Sequence, residues 1–476
     1  MATIHTGANL VPSKQELIAG WIGEQRWYAA KGRAPQPRRL FSWRLDDPDG
    51  EVGIETLIVA DDATTPPVIY QVPLTYRAAP LEGATHALVG TLEHSVLGTR
   101  YVYDGPHDPA YAERLFALAT GSAQAVSSTV TDAPEESIHG TGAHAGLRLA
   151  SSRVLTGEQS NTSIIAIAVD DSGAERPVIT KVFRAIADGD NPDVILQGAL
   201  AAAGCERVPA SLGAVAGSWP SGDGEELAHG HLAFAQEFLP GAQDAWREAL
   251  LAAGKNDDFT SRAADLGAAT AEVHGILAQH LPTEPADSAR VDQTIEEMRS
   301  RFRAALAEVP ALAEHTHTIE ATLAAAAKAD WPAFQRVHGD YHLGQVLEVP
   351  ERGWVLLDFE GEPLRPLAER NRTDQPLRDV AGMLRSFDYA GGSIEQQTRG
   401  VSARDWVSAA QDAFLDGYAR VAGHDPRDAG PLLAAYIVDK ALYEVVYEAR
   451  NRPAWMNIPL AAIHRLLPAP AAHKED

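Results

Sequence analysis

One short polar motif and the two apolar runs behind it constrain the fold of this chain more than any other feature. The motif, His-Gly-Asp-Tyr-His, contains Asp340, and the apolar runs at 345–347 and 354–357 are separated by a segment with Pro and Gly. Apolar runs of this length on both sides of such a segment predict a β-hairpin. A hairpin returns the chain to its starting point, so we expect Asp358, which directly follows the second run, to lie near Asp340.

Two carboxylates and an amide in this order predict phosphoryl-transfer chemistry. One carboxylate must orient an acceptor hydroxyl and take its proton, while a second carboxylate and an amide oxygen hold the Mg²⁺ ions that bridge the nucleotide phosphates. We predict that Asp340 is the catalytic residue and contacts the acceptor, and that Gln345 and Asp358 bind the metal. An isolated His-Gly-Asp is more often a structural turn, but the second acid and the amide accompany this one. ATP and Mg²⁺ are therefore the expected co-substrate and cofactor.

Composition restricts the partners. The formal net charge is −25 at pH 7, whereas nucleic acids and anionic membranes attract basic surfaces. No early basic and apolar segment of signal-peptide length occurs, and no run approaches ~18 apolar residues. The single cysteine, Cys205, excludes internal disulfides and a cysteine-cluster metal site. We expect a cytoplasmic protein, monomeric or homodimeric, that binds neither nucleic acid nor membranes.

The periodicity of apolar residues predicts a sheet-rich first half and a helical second half. Strands are expected at 41–45, 51–59, 68–74, 153–155, 163–169, 178–183 and 231–238, after one helix at 14–27. Helices are expected at 259–279, 291–306, 315–329, 403–421 and 431–451. Segments 104–109 and 121–142 have the composition of linkers or exposed loops. The predicted fold is α+β and bilobal, with a cap subdomain at 1–105, a nucleotide-binding subdomain at 106–239 and an α-helical lobe at 240–476.

Residues in and beside the middle strands are predicted to contact the nucleotide. Ser160 and Asn161 lie in a polar turn whose amides and hydroxyls could cover phosphates. Lys181 alternates within a strand and is predicted to pair with phosphates; the alternative is a solvated strand face. Gln236 and Phe238 lie where a hinge would bind adenine. The absence of the GxxxxGK[ST] and GxGxxG motifs at strand-to-helix junctions argues against Walker-type and Rossmann enzymes.

The catalytic motif resembles the H-x-D-x-x-x-x-N signature of the aminoglycoside-phosphotransferase and choline-kinase superfamily, which implies a protein-kinase-like fold; Gln345 stands where that signature usually has Asn. Further segments resemble actinobacterial maltokinases and the related glucosamine kinases, namely 21–28, 159–163, 191–193, 358–363, 377–389 and 439–453. This resemblance implies an N-terminal cap, an intermediate subdomain and a helical lobe that holds the acceptor sugar.

Several positions depart from the maltokinase pattern and favour the glucosamine kinase branch. Ile195 stands where maltokinases have a glutamate that pairs with the phosphate-binding lysine, so Glu158 or Asp193 would have to take that place. Asp374 adds a carboxylate close to the hairpin, and Asn457 departs from the maltokinase sequence. The resemblance therefore implies ATP-dependent formation of glucosamine 6-phosphate from glucosamine. Formation of maltose 1-phosphate is the alternative, and an aminoglycoside phosphotransferase or an inactive pseudokinase is less favoured.

Four residues are predicted to bind the acceptor besides Asp340, namely Asp374, Glu444, Glu448 and Trp455. Glu444 and Glu448 lie one helical turn apart, and such a like-charged pair is stabilised by a cation, for which the ammonium of glucosamine is one candidate. The alternative is that Lys440 and Arg450 or Arg452 screen the pair, or that one glutamate faces solvent. Trp455 could stack on a sugar or only pack the helix end.

Arg385 and Asp379, both in the segment that resembles maltokinases, are expected to form an internal salt bridge.

Overall fold

The computed structural model describes residues 7–131, 133–144, 146–157, 160–222, 226–363, 365–398 and 400–466. Contacts divide the chain into two compact units. Unit 1 comprises Met1–Val194 and Pro209–Pro240, and unit 2 comprises Ile195–Val208 and Gly241–Asp476. The three-part division with boundaries after residues 105 and 239 stays a prediction.

Unit 1 is built mainly from antiparallel strands. In chain order they are β1 (Leu10–Val11), β2 (Pro37–Leu45), β3 (Gly53–Asp61), β4 (Val68–Arg77), β5 (Leu88–His94), β6 (Gly98–Asp104), β7 (Val126–Ser127), β8 (Ile138–Gly140), β9 (Arg148–Val154), β10 (Asn161–Val169), β11 (Glu175–Phe183), β12 (Ala185–Ile186), β13 (Ser211–Pro220) and β14 (Leu227–Glu237). One sheet has the order β1-β5-β6-β4-β3-β2-β7, with β12 also beside β4, and the other has the order β8-β13-β14-β11-β10-β9. All seven predicted strands of this unit are confirmed.

Helices of unit 1 follow from local capping signals. They are α1 (Lys14–Trp21), followed by the 3-10 turn Ile22–Glu24, then α2 (Pro109–Ala119) and the start of α3 (Pro192–Ala202), which continues into unit 2. Ser13 and Glu16 form a capping box that starts α1. Asp108 accepts a hydrogen bond from the Ala110 amide, which starts α2.

The helix α2 occupies the core that the two sheets of unit 1 share. Its Tyr111, Leu115 and Phe116 are fully buried and pack with residues of both sheets. The expectation of an exposed linker at 104–109 is wrong, because Gly105 and Pro106 form a buried 3-10 turn that leads directly into α2. Gly105 and Pro106 correctly indicated a turn, but this turn is buried.

Unit 2 is helical apart from one three-stranded sheet, β15 (Gln243–Asp244), β16 (Val346–Val349) and β17 (Gly353–Leu356). Its helices are α4 (Ala245–Lys255), α5 (Thr260–His280), α6 (Ser288–Glu308), α7 (Thr316–Ala326), α8 (Leu367–Arg370), α9 (Pro376–Gln397), α10 (Arg404–Ala422), α11 (Gly430–Asn451) and α12 (Asn457–Leu466). The predicted hairpin and all five predicted helices of this unit are confirmed. One apolar core, to which α5, α9, α10 and α11 contribute, lies beneath the hairpin. No described helix is both long and apolar enough to cross a bilayer.

Candidate functional site

The loop 338–344 ahead of the hairpin carries Asp340 and is called the catalytic loop here after its predicted role. It is held by the carboxylate of Asp379, near the start of α9. Its two oxygens accept hydrogen bonds from the backbone amides of His338, at 2.7 Å, and Gly339, at 2.9 Å. His274 lies 3.0 Å from the same carboxylate. Burial alone raises the pKa of the Asp379 carboxyl, but His274, His338 and the bond from Gly339 outweigh it and lower the pKa. Asp379 is therefore ionised and fixes the loop that presents Asp340.

The next turns of α9 press directly against the same loop. Ser386 accepts a hydrogen bond from the Leu343 amide at 3.0 Å. A Cβ atom at Gly382 would come within 2.5 Å of the carbonyl oxygen of Tyr341, so only glycine permits this approach. Residues 379, 382 and 386 share one helix face because they are three and four residues apart. That face determines the position of the catalytic loop.

The hairpin brings the two predicted metal ligands together. The Gln345 side-chain amide donates to Asp358 Oδ2 at 3.2 Å. Asp358 has a φ of 62°, in the left-handed region that side chains other than glycine rarely adopt. His338 Nε2 lies 2.8 Å from the carbonyl oxygen of Leu357, which ties the catalytic loop to the end of β17. A carboxylate beside an amide offers the oxygen atoms that Mg²⁺ prefers, so these residues fit the ion.

Asp340 shares a partly buried lysine with a second carboxylate. Lys440 on α11 donates to Asp340 Oδ1 at 3.0 Å and to Glu362 Oε1 at 2.9 Å. Burial opposes the charged form of Lys440, but the two carboxylates outweigh it and raise the pKa of this ammonium. Burial alone also raises the pKa of Glu362, but Lys440 and two arginines hold it well below its ordinary range. Lys440 is therefore a cation that fixes the Asp340 carboxylate.

Asp374 is engaged within this network. It accepts hydrogen bonds from Arg378 at 2.7 Å, from the Tyr436 hydroxyl at 3.0 Å and from the Gln375 amide at 2.8 Å. It does not occur among the described residues that line the cavity reported below. Arg378 also donates to Glu362, so Asp374 serves to orient that arginine. Its predicted contact with the acceptor gains no support from these contacts.

A cavity of about 440 Å³ opens beside Asp340. Its lining includes three other residues predicted from the sequence, Glu444, Glu448 and Trp455. Further side chains in the wall, which the sequence had not assigned to the acceptor, are Trp246, His342, Tyr389, Lys440, Tyr443, Tyr447 and Arg452. The wall combines aromatic rings with charged groups, as is typical of sites that bind small polar ligands.

Glu444 and Glu448 have separate partners. Arg385 donates twice to Glu444 Oε2, at 3.0 and 2.7 Å. Burial raises the pKa of the Glu444 carboxyl in spite of this arginine. Glu448 Oε1 accepts from Arg452 at 2.5 Å and from the Tyr389 hydroxyl at 3.2 Å.

The second oxygen of Glu448 is the unusual feature of the cavity wall. Glu448 is 1% exposed, and its Oε2 has no hydrogen-bond partner within the described part of the chain. A buried carboxylate oxygen without a donor costs about 1–3 kcal/mol or more. A ligand that brought a donor or a positive charge within reach of this oxygen would relieve that cost.

The expected screening of the glutamate pair is correct for Arg452, which bonds to Glu448, and in part for Lys440, whose charge opposes the raised pKa of Glu444. The direct ion pairs of Lys440 are with Asp340 and Glu362, and Arg450 pairs with Glu308.

The expected bridge between Arg385 and Asp379 is wrong. Arg385 bonds to Glu444 and to Asp388, while Asp379 bonds to His274 and the catalytic loop. Residues six apart on a helix point in different directions, which separates their partners.

Trp455 both lines the cavity and packs against the end of α11. The guanidinium of Arg452 lies 5.1 Å from the Trp455 ring and 5.6 Å from the Tyr447 ring. Cation–π contacts of this kind hold the arginine that bonds to Glu448. Sugar stacking on Trp455 stays a prediction.

His342 takes part in the structure of the loop. Its Nδ1 accepts from the Gly344 amide at 3.0 Å. Burial lowers the pKa of His342, while the charges of Asp340 and Asp358 oppose that shift. The imidazole is therefore neutral near pH 7.

The predicted nucleotide-contacting residues lie in unit 1. Lys181 on β11 donates to Asp193 Oδ2 at 2.7 Å, so the acid that replaces the missing glutamate is Asp193 at the start of α3. The other candidate, Glu158, lies outside the described residues. Asn161 begins β10 directly after Ser160.

Gln236 lies in β14, and the Phe238 amide, just beyond it, donates to the carbonyl of Pro177. The roles of Lys181, Ser160, Asn161, Gln236 and Phe238 stay predictions.

Comparisons with known proteins agree with the resemblance seen in the sequence. Residues 21–108 match the maltokinase N-terminal cap domain. A glucosamine kinase of Streptacidiphilus jiangxiensis is 33% identical over 256 residues, which cover 50% of this chain and 58% of that protein. A glucosamine kinase of Mycolicibacterium smegmatis is 29% identical over 334 residues, 66% of this chain and 79% of that protein. The match thus spans less than two thirds of the first relative.

The fold is that of a solved glucosamine kinase, described as a complex with glucosamine, ADP and inorganic phosphate. The TM-score is 0.65 and the identity 22%, over 96% of this chain and 100% of that one. The predicted kinase-like fold and the resemblance to the maltokinase and glucosamine kinase group are confirmed.

Proposed function

We propose that this protein is an ATP-dependent kinase that phosphorylates the 6-hydroxyl of D-glucosamine and releases ADP. The observation that carries the proposal is the placement of Asp340 and the partly unpartnered carboxylate of Glu448 in the wall of one cavity. An acceptor with one hydroxyl to phosphorylate and one ammonium group complements these two residues. The similarity to two glucosamine kinases supports the choice of sugar.

In the proposed reaction, Asp340 accepts a hydrogen bond from the 6-hydroxyl and orients its oxygen toward the γ-phosphorus of ATP. The new P–O bond forms as the bond to the departing ADP breaks, and the hydroxyl proton passes to Asp340. Lys440 keeps the carboxylate in place throughout. Asp358 and Gln345 would hold Mg²⁺, which neutralises phosphate charge when bound. Lys181, positioned by Asp193, would contact the phosphates, with Ser160, Asn161, Gln236 and Phe238 as further nucleotide contacts.

Glu448 is proposed to recognise the amine. Its Oε2 would accept a charge-assisted hydrogen bond from the ammonium, which supplies the donor that the described chain lacks. Arg452 and Tyr389 fix the other oxygen, so the carboxylate is oriented before the sugar binds.

Formation of maltose 1-phosphate is the second candidate. The match of residues 21–108 to a maltokinase cap favours it, and a cavity of about 440 Å³ is large enough for more than one sugar ring. Maltose carries no ammonium, so it would bring no positive charge to Glu448 Oε2. The cytoplasmic location and the monomeric or homodimeric state also stay predictions.

The deciding experiment incubates the purified protein with MgATP and, separately, glucosamine, maltose or glucose. ADP release is measured, and phosphorus NMR locates the new phosphate. We expect turnover on glucosamine at the 6-hydroxyl and much weaker turnover on glucose. Turnover on maltose at the anomeric hydroxyl with none on glucosamine would replace the proposal by its alternative.

A further inference from the structure

Three potential metal ligands meet in unit 2, outside the described lining of the sugar cavity. His315 Nε2 lies 3.0 Å from His464 Nδ1. Glu314 Oε1 lies 3.6 Å from His315 Nε2 and 3.7 Å from His464 Nε2. Glu314 and His315 end the 3-10 helix Pro310–His315, and His464 lies in the last turn of α12. The three side chains thus join two elements that are 149 residues apart in sequence.

The spacing of these atoms suits a small tetrahedral ion. With bonds of about 2.0–2.1 Å, two ligands of tetrahedral Zn²⁺ lie about 3.3 Å apart. The observed separations of 3.0 and 3.6 Å lie on either side of that value. The 3.0 Å separation involves Nδ1 of His464 and the 3.7 Å separation involves its Nε2. The exposed side chains of Glu314 and His464 therefore have to rotate to bring Glu314 Oε1 and one nitrogen of His464 to the same ion.

The chemistry of the cluster selects the kind of ion. Two imidazoles and one carboxylate suit Zn²⁺ and its neighbours in the first transition row, whereas Mg²⁺ takes oxygen ligands. The cluster therefore does not duplicate the proposed Mg²⁺ ligands of the kinase reaction.

Burial differs among the three ligands in a way that permits ion entry. The side chain of His315 is 4% exposed, whereas those of Glu314 and His464 are 61% and 53% exposed. The buried imidazole is a fixed anchor, and the two outer ligands lie open to solvent. One coordination position is left for water, as in zinc sites with three protein ligands.

We propose that Glu314, His315 and His464 form a Zn²⁺ site that fastens α12 to the turn before α7. α12 also packs by Ile458, Ala462 and Ile463, which are buried. An ion that closes a loop of this length restricts the unfolded chain and so stabilises the folded one. The inference does not depend on the proposed kinase activity, because it rests on residues outside the described cavity lining.

Zinc binding by the full-length protein tests the proposal. The protein is treated with a chelator, dialysed and titrated with ZnCl₂ by calorimetry in excess Mg²⁺, which occupies oxygen-rich sites. We expect one site per chain. His464→Gln and Glu314→Gln each remove an exposed ligand and should weaken zinc binding at least about 10-fold, the size of effect known even for residues behind metal ligands. His317→Gln is the matched control, since His317 is an exposed neighbour outside the cluster.

Two further measurements distinguish the loss of a metal site from a loss of folding in the variants. Zinc should raise the thermal unfolding midpoint of the wild type and of His317→Gln but not of His464→Gln. Without metal, the three proteins should unfold at similar temperatures because the changed side chains are exposed. Co²⁺ should give visible absorption of tetrahedral intensity that disappears in His464→Gln. No tight binding in the wild type, or equal binding in all variants, would overturn the proposal.

Discussion

The cavity of unit 2 has a carboxylate pair at each of two places, and the pairs differ in how their charge is balanced. Asp340 and Glu362 share the ammonium of Lys440. Glu444 and Glu448 have one arginine each, but Arg385, the partner of Glu444, also serves Asp388. The first pair lies within a continuous network of cations, whereas the second pair shares its positive charge with other acids.

The pKa directions of two buried glutamates express this difference. Both are buried, and burial alone raises the pKa of each. For Glu362 the charges of Lys440, Arg378 and Arg365 outweigh burial and lower its pKa. For Glu444 the charge of Arg385 does not outweigh burial, and its pKa is raised. A satisfied pair can hold a reactive group in place, while an under-compensated pair is suited to receive a cation from the ligand.

The largest effect is expected from removing the proposed base. Asp340→Asn keeps the shape of the side chain but cannot take the proton, so turnover should fall by roughly 10²–10⁴-fold or more with little change in MgATP affinity. Asp358→Asn is the contrasting variant, which should weaken metal-dependent nucleotide binding. Turnover and MgATP titrations are measured for both. Near-normal turnover in Asp340→Asn would show that Asp340 is not the base of the reaction.

The next effect comes from removing the shared cation. Lys440→Met leaves Asp340 and Glu362 without their common donor, and the loss of one partner from a buried ion pair costs about 3–5 kcal/mol in unfolding free energy. A displaced base should also lower turnover about 10²-fold, without a matching change in the KM for ATP.

Lys440→Arg restores the charge and should recover part of both losses. Urea unfolding and steady-state kinetics give the two numbers separately. If Lys440→Met lowered stability but left turnover unchanged, Lys440 would be structural and would not position Asp340.

The sequence predicts contacts in the site only between residues that lie close together along the chain. Asp340, Gln345 and Asp358 were identified together because a hairpin is a local structure and a segment of 19 residues contains all three. Lys440 lies 100 residues beyond Asp340, and only the packing of α11 beside the catalytic loop reveals that they meet. The sequence shows a lysine one turn before Glu444, but it does not show that the direct ion pairs of this lysine are with Asp340 and Glu362.

Helix α9 was not predicted from the sequence, although α5, α6, α7, α10 and α11 were. The buried side of α9 includes the polar residues Asp379, Arg385 and Ser386. These residues hold the catalytic loop and Glu444, and only the folded structure shows those partners.

A smaller effect is expected at the other pair. Glu448→Gln removes the charge offered to the ammonium and should reduce the preference for glucosamine over glucose, measured as a ratio of kcat/KM, by about 10–100-fold, since a hydrogen bond to a charged group contributes about 1.5–3 kcal/mol. Glu308→Gln is the control, because Glu308 also pairs with an arginine of α11 but lies outside the described cavity lining. If Glu448→Gln left the ratio of kcat/KM for glucosamine and glucose unchanged, Glu448 would not be the residue that binds the amine.

The smallest and sharpest effect is the pH dependence of stability. The lowered pKa of Glu362 means that its contribution is fully present above the ordinary value of 4.5 and is lost as pH falls through the folded value. Glu444 behaves in the opposite way. Because its pKa is raised in the folded state, the folded protein takes up this proton at a higher pH than the unfolded chain does. Its contribution to the unfolding free energy therefore grows as the pH falls from the folded pKa toward 4.5.

Unfolding free energies of wild type, Glu362→Gln and Glu444→Gln, measured by urea denaturation between about pH 4 and 7.5, separate the two behaviours. The gap between wild type and Glu362→Gln should narrow on acidification below 4.5. The unfolding free energy of the wild type minus that of Glu444→Gln should increase as the pH falls toward 4.5. The increase is at most about 1.4 kcal/mol per pH unit for one group. If both gaps moved in the same direction, the two pairs would not differ in charge balance, and the reason to expect a ligand cation beside Glu444 and Glu448 would weaken.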